Sequence, residues 1–84
     1  MPRIEVLLLT KPGCHLCDDA RPIVERVVAD EPQAELVERD ITTDEALNAR
    51  HWDEIPVVMV DGAVHSIWRV DESRLRLALK EKTA

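Results

Sequence analysis

Apolar positions along this chain change their spacing repeatedly, and each change marks an element. Ile4 to Leu9 is an almost unbroken apolar run with β-branched members, interrupted by Glu5, and it predicts a strand buried on both faces. Lys11-Pro12-Gly13 ends it. Apolar residues then fall at Cys17, Ala20, Ile23, Val24, Val27 and Val28, the stripe of an amphipathic helix, with Asp18, Asp19, Arg21, Glu25 and Arg26 on the other faces. Pro22 lies inside this helix, where loss of a backbone donor predicts a kink. Its end is expected near Asp30, because Pro32 disfavours helical geometry at Glu31. Residues 34–41, "AELVERDI", predict a less apolar strand nearer a sheet edge. "TTDE" fits a capping box of Thr42 and Glu45, opening a short helix through about Arg50. The run "IPVVMV" at 55–60 meets the hairpin signal Asp61-Gly62, so Ala63 to Trp68 should return antiparallel. Asp71 can cap a last helix with Leu75, Ala78 and Leu79 inward.

The order strand, helix, strand, helix, strand, strand, helix asks for parallel pairing at the start and a hairpin later. The expected fold class is therefore α/β, a four-stranded mixed sheet with helices on both faces, in one domain spanning residues 1–84. At 84 residues the chain buries a modest core. It is 45% hydrophobic but 2% aromatic, with no Phe or Tyr, so Val, Leu, Ile and Ala must fill that core. Trp52 and Trp68 are the exceptions, expected as core or rim packing. Seventeen acidic against eleven basic residues give a net charge of −6, which disfavours nucleic acid and anionic membrane surfaces as partners. Glu31, Glu35, Glu38 and Asp40 are expected to form a solvated acidic face. "MPRIEVLLLT" lacks the features of a secretory leader, and no apolar run has bilayer length, so a cytoplasmic monomer is expected.

The two cysteines, Cys14 and Cys17, change the picture most. In a reducing compartment such a pair is catalytic or metal-binding more often than a permanent staple. Cys17 shares the buried stripe with Ala20 and Val24, whereas Cys14 stands at the helix mouth, where backbone amides lack intrahelical acceptors. Those amides and the helix dipole favour a negative charge on Cys14, as do Lys11 and a protonated His15. Asp18 and Asp19 oppose it. An exposed thiolate beside a recessed thiol is what thiol–disulfide exchange requires. The alternatives are metal ligation and inert buried thiols. Zinc would need two further ligands; His15 lies inside the pair, and His51 and His65 are not in ligand spacing with anything.

"TKPGCHLC" after a strand, "DIT" after the second strand and "IPVVMVDG" downstream resemble the glutaredoxins and glutaredoxin-like proteins of the thioredoxin superfamily. The resemblance covers nearly the whole chain in element order. It implies a thioredoxin-like fold and a dithiol–disulfide oxidoreductase acting on protein or glutathione mixed disulfides, with Cys14 as nucleophile and Cys17 as resolving thiol. It also implies a cis peptide before Pro56, facing the cysteines, and an Ile55 backbone that pairs with the substrate. Lys11 matches a lysine that pairs with a glutathione carboxylate, while His15 and Leu16 would border the substrate. No bound cofactor is implied; glutathione or a reductase system would supply electrons to a protein whose partners carry disulfides. Some relatives instead share an iron–sulfur cluster between copies, so a non-enzymatic metal or cluster-binding module using the same cysteines is the alternative. Two departures stand out. Leu16 replaces the aromatic residue common between the cysteines, and "HSIWRVDES" at 65–73 replaces a Gly-Gly pair that lets the tripeptide approach, so that Trp68 and Arg69 would fill its space.

Overall fold

A computed structural model describes residues 3–83. Met1 and Pro2, which open the segment read for a leader, and Ala84, the last residue of the expected domain, lie outside the described residues. The elements run β1 (Ile4–Thr10), α1 (His15–Ala29), β2 (Ala34–Asp40), a single 3-10 turn (Ile41–Thr43), α2 (Glu45–His51), β3 (Val57–Val60), β4 (Ala63–Ile67) and α3 (Glu72–Thr83). They form a four-stranded sheet in the order β2-β1-β3-β4. β1 pairs parallel to β2 and antiparallel to β3, and β3 pairs antiparallel to β4. The mixed α/β sheet is the one expected, with the less apolar β2 at an edge. No helix is long and apolar enough to cross a membrane among the described residues.

Strand β1, buried except for the exposed Glu5 and the partly buried Leu7, divides its side chains between the two faces, as a pleated strand must. Ile4, Val6 and Leu8 meet Val24 and Val27 of α1, Val58 and Val60 of β3, and Leu75 and Leu79 of α3. Leu9 instead joins Ile41, Ile55, Val57 and Cys17, with Leu47 of α2 packed against them. α1 runs through Pro22 without a break and ends at Ala29, capped by Asp30. Asp71 caps α3 as expected, its Oδ1 accepting from the Arg74 amide at 3.1 Å.

Three expectations need correction. The capping box is not formed: Asp44 caps α2, its Oδ1 accepting from the amides of Ala46 and Leu47 at 3.0 and 3.1 Å. Thr42 gives both its amide and its hydroxyl to Asp40 Oδ1, because that carboxylate offers a nearer acceptor and winds the 3-10 turn. Trp52 and Trp68 are 62% and 53% exposed, not core. Finally, Glu38 and Asp40 are not merely solvated: Asp40 caps the turn, and Glu38 binds Arg21 and Thr10.

Candidate active site

The site forms where β1 gives way to α1. Gly13 takes φ +74, a backbone region open to glycine, and turns the chain so that Cys14 becomes the N-cap of α1. Ser, Thr, Asp or Asn ordinarily fills such a position, because its oxygen accepts an orphan helix amide. Here a sulfur does so: Cys14 Sγ accepts from the Cys17 amide at 3.2 Å. The Cys14 carbonyl also accepts from the Asp18 amide at 3.2 Å. Cys14 is thus half-buried with its sulfur at the positive end of a fifteen-residue helix, whereas Cys17, one turn on, is 1% exposed. Both are free thiols.

Their environments differ accordingly. Burial pushes the Cys17 thiol up to about 12, and the hydrogen bond with Cys14 acts in the same direction. The Lys11 main-chain amide and the Arg21 guanidinium work against that rise. Arg21, one turn beyond Cys17, is held by a bidentate pair with Glu38, Nε to Oε1 at 2.8 Å and Nη2 to Oε2 at 2.9 Å, and by Asp18 at 3.1 Å. Glu38 Oε2 also accepts from the buried Thr10 hydroxyl at 3.1 Å. These bonds, the Arg21 pair first, hold the Glu38 carboxyl below the usual carboxylate range. The Thr10–Glu38–Arg21 chain escaped the sequence reading. The spacing of Arg21 from Cys17 and Asp18 was its only trace.

The chain and its fold have counterparts among known proteins. Residues 5–80 match the family model described as Glutaredoxin-like domain (DUF836). The chain belongs to that glutaredoxin-like family. It is 36% identical over 89 residues to an uncharacterised protein of Mycobacterium tuberculosis, covering 99% of this chain and 90% of that protein. A glutaredoxin-like protein of Dictyostelium discoideum is 30% identical over 77 residues, covering 86% of this chain and 71% of its own length. Among solved structures, a mutant thioredoxin from Halobacterium salinarum superposes with a TM-score of 0.74 at 19% identity, covering 99% of this chain and 77% of that one, a likeness of fold. This glutaredoxin-like fold with its Cys14–Cys17 pair supports a redox-type function.

The other candidate residues fall into two groups. Ile55 joins the Cys17 cluster, against which Cys14 also packs, and the Ile55–Pro56 bond is cis. Pro56 is fully buried. Among the described residues neither the amide nor the carbonyl of Ile55 finds a hydrogen-bond partner. Lys11, His15 and Leu16 are exposed at the same end of the molecule, while Arg50 is exposed on α2. His51 is buried and bonded to Glu54, Nδ1 to Oε1 at 3.0 Å.

Trp68 stands where the resemblance led one to look for glycine, and it adopts a glycine-like backbone, φ +64. For a bulky residue that conformation costs roughly 1–3 kcal/mol and persists only when its surroundings over-determine it. They do. The Trp68 amide donates to the Pro56 carbonyl at 2.8 Å and to that of Glu54 at 3.3 Å, and the indole Nε1 donates to the Asp53 carbonyl at 2.9 Å. The β4–α3 turn is thereby tied to the loop that carries Ile55 and Pro56.

Proposed function

We propose that this protein is a thiol–disulfide oxidoreductase, with Cys14 as the attacking thiolate and Cys17 as the resolving thiol, acting on disulfides of proteins or mixed disulfides of glutathione. One observation carries the reading: the helix cap sets Cys14, whose half-buried sulfur accepts the Cys17 amide, one turn ahead of the fully buried Cys17. Cys14 is the sulfur a substrate can reach, whereas Cys17 is buried, so Cys14 attacks first. Its thiolate forms a bond to one sulfur of the substrate disulfide, and the other sulfur leaves as a thiolate. Cys17 then loses its proton and attacks Cys14 Sγ, which releases the second substrate thiolate. The two protein thiols lose two electrons and two protons, and the substrate disulfide gains them.

The unpaired main chain of Ile55 supplies one donor and one acceptor for an extended substrate, with Lys11, His15 and Leu16 along the approach. Burial holds Cys17 neutral until Cys14 is engaged, which keeps the second attack from competing with the first. No bound cofactor is needed. Glutathione or a reductase system would restore the dithiol, a cycle suited to a reducing compartment such as the cytoplasm.

Covalent trapping tests the reading. Incubated with a disulfide-bonded peptide, the Cys17→Ser protein should accumulate a stable adduct by mass spectrometry, whereas Cys14→Ser should accumulate none. Iodoacetamide at neutral pH should modify Cys14 well before Cys17 in the native dithiol form. Equal alkylation of the two, or adducts on Cys17 alone, would overturn it.

A further inference from the structure

A cleft of about 190 Å³ opens beside Leu16, the residue between Cys17 and His15. One wall comes from α1, where Leu16, Ala20 and Ile23 project, and the other from Trp68 and Val70 in the turn before α3. Asp19 and Arg69 stand at its rim, neither of them in an ion pair among the described residues. The two walls are the two elements the proposed substrate must meet. α1 presents Cys14, and Trp68 is bonded to the carbonyl of Pro56, next to the open main chain of Ile55. The cleft thus lies between the helix that presents Cys14 and the turn bonded to the Pro56 carbonyl.

We propose that this cleft selects polypeptide substrates by taking an apolar side chain adjacent to their reactive cysteine. The inference rests on the exchange function proposed above and names its substrate class. The volume is somewhat larger than the ~150 Å³ of an apolar cavity that holds benzene, so it admits a leucine, methionine or phenylalanine side chain. Five of its seven lining residues are apolar, which rewards apolar burial, while the charged Asp19 and Arg69 stand at the rim. Glutathione has only polar groups flanking its cysteine. They offer the apolar walls nothing to bury, so what glutathione can gain here is confined to the rim charges Arg69 and Asp19. The strained backbone of Trp68 gives the wall its position: its three hydrogen bonds hold the indole end against Asp53 while the residue closes the cleft opposite Leu16.

The test uses the reduced protein in single turnover, with its own dithiol as the electron source. Two disulfide-linked peptides differ only in whether leucines or serines flank the cysteine, and oxidised glutathione is the third substrate. The leucine peptide should oxidise the protein about tenfold faster than the serine peptide, the discrimination a hydrophobic pocket of this kind provides. Oxidised glutathione should group with the serine peptide. Trp68→Gly removes the wall while keeping a residue at ease with φ +64, and Leu16→Ala shortens an exposed side chain on the opposite wall. Each should collapse the leucine-to-serine ratio towards one. A wild-type ratio near one, a wild-type ratio retained by both variants, or glutathione outpacing the leucine peptide would overturn the cleft while leaving the exchange function intact. Failure of all three substrates to oxidise the protein would sink both.

Discussion

Two hydrophobic clusters share helix α1, and they are built differently. The first, under α1 and α3, draws mostly on residues inside elements, among them Val6 and Leu8 of β1, Val24 and Val27 of α1, and Leu75 and Leu79 of α3, with Ile4, Ala34 and Val60 at strand ends. The second draws on ends: Leu9 one residue before β1 stops, Ile41 where β2 gives way to the 3-10 turn, Ile55 in the loop, Val57 at the start of β3, and Cys17 in the first turn of α1. Mid-element residues have their main chain satisfied by helix or ladder, so the first cluster is chiefly packing. Chain ends leave amides and carbonyls open, and the second cluster surrounds such groups with enough apolar contact to hold them still. Reactive chemistry in open α/β sheets gathers at strand ends for this reason.

The sharpest way to break the comparison is at the sulfurs. Cys14→Ser should reduce disulfide exchange to background while leaving the unfolding midpoint nearly unchanged, because serine is itself a favoured helix cap. Residual exchange in that variant would mean the second cluster does not hold the chemistry. In the first cluster, Leu75→Ala should cost about 2–5 kcal/mol in chemical denaturation, since its side chain is wholly buried. The alkylation rate of Cys14 in the folded fraction should not move.

Alkaline titration separates the clusters without a cavity. The folded Cys17 thiol sits near 12, above its ordinary 9.0, so its neutral form favours folding below about pH 9 and that contribution is lost as pH rises towards 12. The reduced wild type should therefore lose denaturant resistance over that window, and Cys17→Ala should lose less. At the foot of the second cluster, Asp44→Ala removes the cap of α2 and should cost about 1 kcal/mol.

The smallest effects should come from the carboxylate clamps. Glu72 receives Arg26 at 2.7 Å and Arg76 at 2.8 Å, joining α1 to α3 over the first cluster, whereas Glu38 joins α1 to β2 beside the second. Arginine hydrogen bonds hold Glu72 down to about 2 and Glu38 below its usual range. Both contributions are thus complete above ordinary carboxylate values and fade as pH falls through the depressed ones. Urea midpoints between neutral pH and acid should fall less steeply in Glu72→Gln than in wild type, less markedly so in Glu38→Gln, and both differences should shrink in salt.

Much of the architecture was legible because its signals are local. The stripe from Cys17 to Val28, the apolar run of β1, Asp61-Gly62 and Asp71 each act within a few residues, and each element appeared within a residue or two of its expected place. The Cys14 cap was legible for the same reason. Where two local signals competed, reading failed: Thr42 and Asp44 are both good caps, and only the turn wound by Asp40 decides between them. The Thr10–Glu38–Arg21 chain was out of reach, since Glu38 looks like one more solvated acid until β2 aligns it beside β1.

The amino-acid order by itself determined which residues form helices and strands, and which cysteine stands at the mouth of α1 and which is buried one turn on, because hydrogen bonds and side-chain periodicity within one segment suffice for that. Only the tertiary structure decided what surrounds the pair. Trp68 holds a backbone its own side chain disfavours because three carbonyls from the loop before β3 claim its two N–H groups. No local preference predicts that conformation, since the partners that stabilise it arrive from another part of the chain.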